Sequence, residues 1–182
     1  CPMPEIKIID TTLRDAHQCL WATRMTTAMM LPVAEKMDRA GFETIDLMAS
    51  PQFDVCVRYL KENPWERIRL MRQKVARTPM RAGLGSSYLM SFDVQPDDVI
   101  LLWLECMVKN GIRRARPNDC SANIDRVIGI LHKVKELGIT YPVLLDPRRS
   151  NWNRWRQHAW PTVCLVDKQG RARYLAEGEL EY

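Results

Sequence analysis

A run of nine residues near the start of the chain concentrates side chains that could do chemistry. From Asp10 to Gln18 it holds two carboxylates, a guanidinium, an imidazole and an amide. Asp15 could ligate a divalent metal, Arg14 could hold a carboxylate in bidentate fashion, and Gln18 could donate to a carbonyl oxygen. The alternative is that Asp10 and Thr11 cap the following turn while Arg14 and Asp15 form a solvated ion pair. The residue types alone leave both interpretations open.

The apolar pattern around this run predicts alternating strands and helices. Residues 10–19 are predicted to be a polar loop; strands are predicted at 5–9, 42–48, 79–84 and 112–116, and helices over 24–40, from 50, from 64 and over 93–110. Short joints between such elements favour right-handed crossovers and a parallel sheet. Ligands gather at the carboxyl ends of strands in these folds, so the polar run after the first strand lies where a site is expected.

The first two thirds of the chain resemble a known family. The carboxyltransferase barrel of the biotin-dependent carboxylases is similar over about residues 4 to 115, on the segments IIDTTLRDAHQ, LWATRM, FETIDLMASPQFDVCVRYLKENPWERIRL and MRAGLGSSY. That family includes pyruvate carboxylase, the oxaloacetate decarboxylase α chain and transcarboxylase. The pattern D-T-T-x-R-D-x-H-Q is a specific signature of this resemblance.

The resemblance implies a fold, a reaction and a set of site residues. It implies a (β/α)₈ barrel with a divalent ion (magnesium, manganese or zinc) at its carboxyl-terminal mouth. There CO₂ moves between carboxybiotin, the co-substrate, and a keto acid such as pyruvate or oxaloacetate, through an enolate. By position, Asp15 matches the family's metal-binding aspartate. The residues that match those holding the keto acid are Arg14, Gln18 and Arg81.

Parts of that site have no counterpart in the sequence. A complete barrel needs about 250 residues and eight strands, and the matching part supplies about four strands. The family's His-x-His pair and carbamylated lysine come from later strands, and this chain's histidines form no such pair. One carboxylate with water could hold magnesium only weakly and cannot build a tight transition-metal site. The sequence therefore predicts a keto-acid corner that is catalytically incomplete.

The last third resembles the second half of a thioredoxin-like redoxin domain, over about residues 123 to 182. The resemblance rests on VKELGITYPVLLD, W-x-x-W, AWPT, VCLVDKQGRARY and EGELEY. It places Pro161 beside a redox site as a cis proline and makes Cys164 a redox candidate, although an apolar strand is more typical of an inert thiol. The pattern itself predicts a helix over 123–137, a strand at 141–145, and an antiparallel hairpin of 162–167 and 171–176.

The predicted fold is therefore α/β, with a partial (half) (β/α) barrel of about four parallel strands joined to a partial thioredoxin-like helix, strand and hairpin. The predicted domains are 1–115 and 116–182, with a chimera-like seam between 112 and 123. The predicted function is that of a carboxyltransferase fragment. The alternatives are a thiol redox module and a non-catalytic folded chimera.

Composition limits the partners. The chain has 182 residues, 46% of them hydrophobic, and a net charge of +5, which fits a globular protein. The small net charge argues against a dedicated nucleic-acid function despite the basic, tryptophan-containing segment 147–160. No apolar run reaches the roughly 18 residues that span a bilayer, and no secretory signal is recognisable. Six scattered cysteines favour reduced thiols and the cytoplasm. Open sheet edges and an uncovered inner face of apolar side chains would favour a homodimer.

Overall fold

The architecture is that of a computed structural model, which describes residues 7–85, 88–89, 93–118, 123–139, 162–166 and 172–177. The chain divides into two compact units, one of Lys7–Tyr141 and one of Cys1–Ile6 with Pro142–Tyr182. In the described part of the chain, no helix has the length and apolar character needed to cross a membrane.

Four parallel strands form the sheet of the larger unit. They are β1 (Ile9–Asp10), β2 (Thr44–Met48), β3 (Met80–Gly85) and β4 (Arg114–Asn118), and their spatial order follows the chain. The helices are α1 (His17–Leu20), α2 (Thr27–Arg39), α3 (Ser50–Val55), α4 (Pro64–Lys74), α5 (Asp97–Asn110) and α6 (Ile124–Glu136). The prediction of about four parallel strands with helical connections is confirmed.

Local signals explain where these helices begin and end. The Asn63 side chain accepts from the amide of Trp65 at 3.0 Å, and Pro64 follows at the first helical position of α4, where a missing N–H is harmless. The Asn123 side chain caps α6 in the same way. Gly111 ends α5 with a φ of 121°, a conformation that strains other residues.

The expectation of a loop over residues 10–19 is wrong. The chain there forms a π-helical turn (Thr12–Ala16) that runs into α1. The Asp10 carboxylate accepts from the amide and hydroxyl of Thr12, both at 3.0 Å, which starts the turn. Leu13 and His17, four residues apart, both point into the interior. Only two buried positions among polar residues give too weak a periodicity to predict a helix.

The two faces of the sheet differ in character. On β2, β3 and β4 the positions that belong to the hydrophobic core are Ile45, Leu47, Met48, Met80, Ala82, Leu84 and Ala115, and Leu47 and Met48 are adjacent because the register shifts between Asp46 and Met48. The alternating positions hold the charged residues Asp46, Arg81, Arg114 and Arg116. Since successive side chains of a strand point to opposite faces, the inner face of these strands is charged. The expectation of an apolar inner face is wrong for the described strands, which removes that ground for a homodimer.

A two-stranded antiparallel sheet is described in the smaller unit. Its strands are β5 (Thr162–Val166) and β6 (Ala172–Glu177), with Cys164 opposite Leu175. The predicted pairing of these segments is confirmed. The predicted strand at 141–145, Pro161, and the basic segment 147–160 lie outside the described residues. The domain boundary between 112 and 123 stays a prediction. It was drawn where the resemblance changes from one family to another, whereas the two units described here are separated by their compactness.

Asp38, near the end of α2, binds the segment that leads into β3 through hydrogen bonds. Its buried carboxylate accepts from the backbone amides of Ala76, Arg77 and Thr78 at 2.7 to 3.1 Å. Burial alone would raise the pKa of this carboxyl, but hydrogen bonds from Thr78, Arg77 and Ala76 lower it below its ordinary value. The charged form of Asp38 therefore stabilises the fold.

Asp38→Asn should lower the free energy of unfolding at neutral pH by about 2 kcal/mol, because an amide cannot accept all of these bonds. A folded-state pKa below the ordinary 3.8 means that the stabilisation is complete above that value and is lost as the pH falls through the folded-state pKa. Urea unfolding over a descending pH series measures it. Glu35→Gln, which removes an exposed carboxylate of the same helix, is the control with little expected change. A pH-independent difference between wild type and Asp38→Asn would contradict this role.

Candidate functional site

Arg14 and Asp15 lie in the π-helical turn directly after β1, at the carboxyl end of the sheet. Their side chains form an ion pair, from the Nη1 atom of Arg14 to the carboxylate of Asp15. Arg14 is mostly buried, whereas the Asp15 side chain is about half exposed. The alternative interpretation expected a solvated ion pair. The ion pair is present, but only its carboxylate is solvated, because the Arg14 guanidinium is mostly buried.

Gln52 connects this turn to the loop that follows β2. Its fully buried side chain donates from Nε2 to the backbone oxygen of Arg14 and to Oε1 of Gln18, each at 3.0 Å. Its Oε1 accepts from the amide of Ala49 at 2.9 Å. Because Gln18 turns its oxygen toward Gln52, its NH₂ group points away from that contact. Gln52 was missed from the sequence, although a glutamine at the third position of a helix is a recognisable capping signal.

Arg81 meets a carboxylate that the sequence reasoning also missed. The Nη2 atom of Arg81 lies 2.7 Å from Oδ2 of Asp46, its register partner on β2, and their side chains are 12% and 2% exposed. The Nε atom of Arg116 on β4 lies 3.6 Å from the same Oδ2 atom. The sequence did contain a signal for a buried ion pair at this position, because Asp46 interrupts an otherwise apolar strand. Buried charges in such strands are rarely unpaired.

Gly83 makes room for Arg116. It is the register partner of Arg116 on the neighbouring strand. A Cβ atom added to Gly83 would lie 3.2 Å from Nη2 of Arg116 and 2.9 Å from Cβ of Ala49. The absence of a side chain thus lets the guanidinium lie against the backbone of β3.

These charges act on one another. Burial lowers the pKa of Arg116; Asp46 and Asp15 raise it, whereas Arg14 and Arg81 lower it. The five groups therefore lie close enough to form one electrostatic unit, which we call the arginine cluster (Arg14, Arg81 and Arg116 with Asp15 and Asp46). Three positive and two negative side chains leave a surplus of one positive charge. Such a cluster can bind a small monoanion such as a carboxylate.

His17 lies beneath the cluster rather than in it. It is 2% exposed, and its ring nitrogens have no hydrogen-bond partner among the described residues. Burial lowers its pKa to about 4, with further lowering by the guanidiniums of Arg67 and Arg14. The imidazole is therefore neutral at physiological pH. Its position in the polar run suggested chemistry, but the side chain points into the core.

The described residues do not fit a tight metal site by themselves. Among them no three His, Cys, Asp or Glu side chains converge as a possible ligand set. The carboxylate of Asp15 is paired with Arg14, which competes with a cation for its oxygens. Zinc sites need about four ligands, of which at least three come from the protein. Asp15 can contribute at most one carboxylate to a site completed by other groups.

Comparison with known proteins shows which proteins the chain is similar to. No protein-family model matches the chain. It is 43% identical over 110 residues to a pyruvate carboxylase subunit of Methanothermobacter thermautotrophicus, covering 60% of this chain and 19% of that protein. It is 38% identical over 175 residues to the equivalently named pyruvate carboxylase subunit of Methanocaldococcus jannaschii, covering 91% and 31%. The solved carboxyl transferase domain of Rhizobium etli pyruvate carboxylase with oxamate and biotin matches with a TM-score of 0.72 and 27% identity, over 76% of this chain and 24% of that one.

The chain thus resembles the carboxyltransferase domain of biotin-dependent carboxylases, and its four parallel strands are consistent with part of that barrel. It spans between about a fifth and a third of the length of these two curated relatives. The alignment with the Methanocaldococcus protein covers 91% of the chain, so it must extend past residue 122. These matches give no support to a thioredoxin-like tail or to a chimera.

Proposed function

We propose that residues 7–139 form the keto-acid-binding part of a carboxyltransferase for a biotin-dependent carboxylase of the pyruvate or oxaloacetate class. The observation that carries the proposal is the arginine cluster at the carboxyl ends of the strands, since guanidinium groups hold carboxylates with directed hydrogen bonds. The likeness to subunits of pyruvate carboxylase supports the substrate class.

Each candidate residue has its own task in this proposal. Arg81 and Arg14 bind the carboxylate of the keto acid through their terminal nitrogens. The NH₂ group of Gln18 donates to the carbonyl oxygen, where negative charge would build up when a base supplied by further groups takes a proton from the methyl group to form the enolate. Carboxybiotin, when bound, supplies the CO₂ to which the enolate carbon adds. Gln52 keeps Gln18 oriented by occupying its oxygen at 3.0 Å.

We further propose that this chain binds the acid without turnover. Each of the two carboxylates of the arginine cluster is engaged in an ion pair with a guanidinium. His17 is neutral but buried below the cluster. A divalent ion would therefore require ligands in addition to Asp15. Under this proposal the chain supplies binding and orientation, and the remaining chemistry requires further groups.

Arg81→Gln should weaken the binding of oxamate at least tenfold, because it removes a charge-assisted contact worth about 1.5 to 3 kcal/mol. Oxamate is a suitable probe, since it carries a carboxylate next to a carbonyl and is present in the solved Rhizobium etli domain. Isothermal titration of the 182-residue chain measures the affinity. Arg39→Gln removes an exposed arginine from α2 and should leave it unchanged.

Absence of saturable oxamate binding by the wild-type chain would contradict the proposed function. Equal affinities of wild type and Arg81→Gln would do the same. Circular dichroism of Arg81→Gln separates loss of binding from loss of fold, and Arg81→Lys should restore part of the affinity because it keeps the charge.

The redox module and the non-catalytic chimera are the alternative functions. Among the described cysteines, burial raises the pKa of Cys56 to about 11, so this thiol is protonated at neutral pH and a poor nucleophile. Rapid labelling of Cys164 by a thiol reagent would favour the redox alternative, and a folded chain that binds no keto acid would favour the chimera. The cytoplasm is the proposed location.

A further inference from the structure

We propose that Arg116 is a further anion-binding residue of this site and that Asp46 is the positioning residue that holds Arg81 and Arg116 side by side. This inference rests on the proposed function and adds two residues to it. Neither residue was reached from the sequence or from the family resemblance.

The charge balance of the arginine cluster assigns the surplus charge to Arg116. Arg14 is paired with Asp15, and Arg81 is paired with Asp46. Those four side chains together carry no net charge. Arg116 therefore supplies the positive charge that would attract an anion. Its side chain is 38% exposed, the most accessible of the three guanidiniums, so its terminal nitrogens can reach a ligand.

The location of Asp46 makes it a positioning residue. On three neighbouring strands the charges follow in the order Asp46, Arg81, Arg116, and Asp46 is within reach of both guanidiniums through one oxygen, at 2.7 Å and 3.6 Å. Its side chain is 2% exposed, which leaves a ligand little access to it. A buried carboxylate that contacts two cations fixes their directions at the expense of part of their charge. Its role is therefore to orient the arginines, not to contact the acid.

Gly83 sets the direction of the Arg116 side chain. Its missing side chain places the Arg116 guanidinium against β3, the strand that carries Arg81. Arg114, two residues earlier on β4, is turned to a different partner, because its Nη2 atom lies 2.6 Å from Glu43. The two arginines of this strand therefore differ in function, and Arg114 offers a matched control.

A role of Asp46 through its charge and a role in positioning the arginines predict opposite changes in oxamate affinity for the variant Asp46→Asn. Asp46→Asn raises the net charge of the cluster by one. If Asp46 acted through charge alone, oxamate would bind more tightly. If it positions Arg81 and Arg116, oxamate should bind about tenfold more weakly in spite of the added positive charge. Isothermal titration with oxamate at low and at moderate salt measures both the affinity and its ionic-strength dependence.

Arg116→Gln should also weaken oxamate binding about tenfold and should flatten its salt dependence, because the cluster loses its surplus charge. Arg116→Lys should recover part of both, and Arg114→Gln should change neither. Since Arg116 is partly exposed, its variants remain informative even if Asp46→Asn fails to fold.

The outcomes separate the two proposals. Wild-type affinity in Arg116→Gln, or tighter binding by folded Asp46→Asn, overturns this inference while leaving the effect of Arg81→Gln and the proposed function in place. Failure of the wild-type chain to bind oxamate overturns both. Weaker binding by Arg116→Gln and by folded Asp46→Asn, with Arg114→Gln unchanged, supports the inference.

Discussion

Arg67→Met should lower the free energy of unfolding by about 3 to 5 kcal/mol, the range for removing one partner of a buried ion pair. The Arg67 side chain is fully buried in α4. Its Nη2 atom donates to Glu62 at 2.6 Å and to the backbone oxygen of Met25 at 3.1 Å, and its Nε atom donates to the Thr27 hydroxyl at 2.9 Å. Methionine fills much of the volume but leaves these acceptors without their donor.

Glu62 is the reason that the loss is large. Burial would raise the pKa of its carboxyl, but hydrogen bonds from Thr27 and Arg67 lower it, so it stays charged. Without Arg67 that mostly buried charge keeps, among the described residues, the hydrogen bonds from the amide and hydroxyl of Thr27. Urea unfolding of the single variant and of Arg67→Met with Glu62→Gln measures the effect. The double variant should recover part of the stability, because the unpaired charge is gone. A single-variant loss below about 1 kcal/mol contradicts the assigned role.

Phe53→Ala should lower the free energy of unfolding by a similar amount, about 3 to 5 kcal/mol. The Phe53 ring lies in the core and forms a cluster of three aromatic rings with Trp65 and Trp103, with centroids 4.8 Å and 5.2 Å away, both edge to face. Alanine removes the apolar contacts and both favourable ring pairs, and leaves a cavity between α3, α4 and α5.

Thermal and urea unfolding measure the effect of Phe53→Ala. Tyr59→Ala is the matched control, because this aromatic residue is exposed and the Arg24 guanidinium lies 3.8 Å from its ring. Its loss should be about 1 kcal/mol or less. Similar losses of unfolding free energy for Phe53→Ala and Tyr59→Ala would contradict a central role in the core for the rings of Phe53, Trp65 and Trp103.

The order of elements could be predicted because its signals are local. Asn63 and Pro64 at the start of α4, and Gly111 after α5, act within one turn of the chain. For the turn after β1, the capping by Asp10 was among the interpretations of the sequence, but the helical form could not be predicted, because only two of its positions are buried.

The arginine cluster illustrates why the site could be predicted only in part. The resemblance supplied Arg14 and Arg81 as candidates. Their neighbours depend on strand register, which places Asp46 opposite Arg81 and Gly83 opposite Arg116 across separations of about 35 residues. No local pattern specifies such pairings. The burial of His17 and Arg67 follows from the same long-range packing.

The charged inner face of β2 to β4 also has a consequence for any attempt to add a further protein fragment to this sheet by protein engineering. A fragment with an apolar contact surface would remove water from the guanidinium groups without replacing the hydrogen bonds that the water makes. Such a fragment should therefore not associate with the sheet. Successful complements should instead carry acidic or amide side chains at the positions that meet Arg81, Arg114 and Arg116. Their assembly should weaken as salt concentration rises.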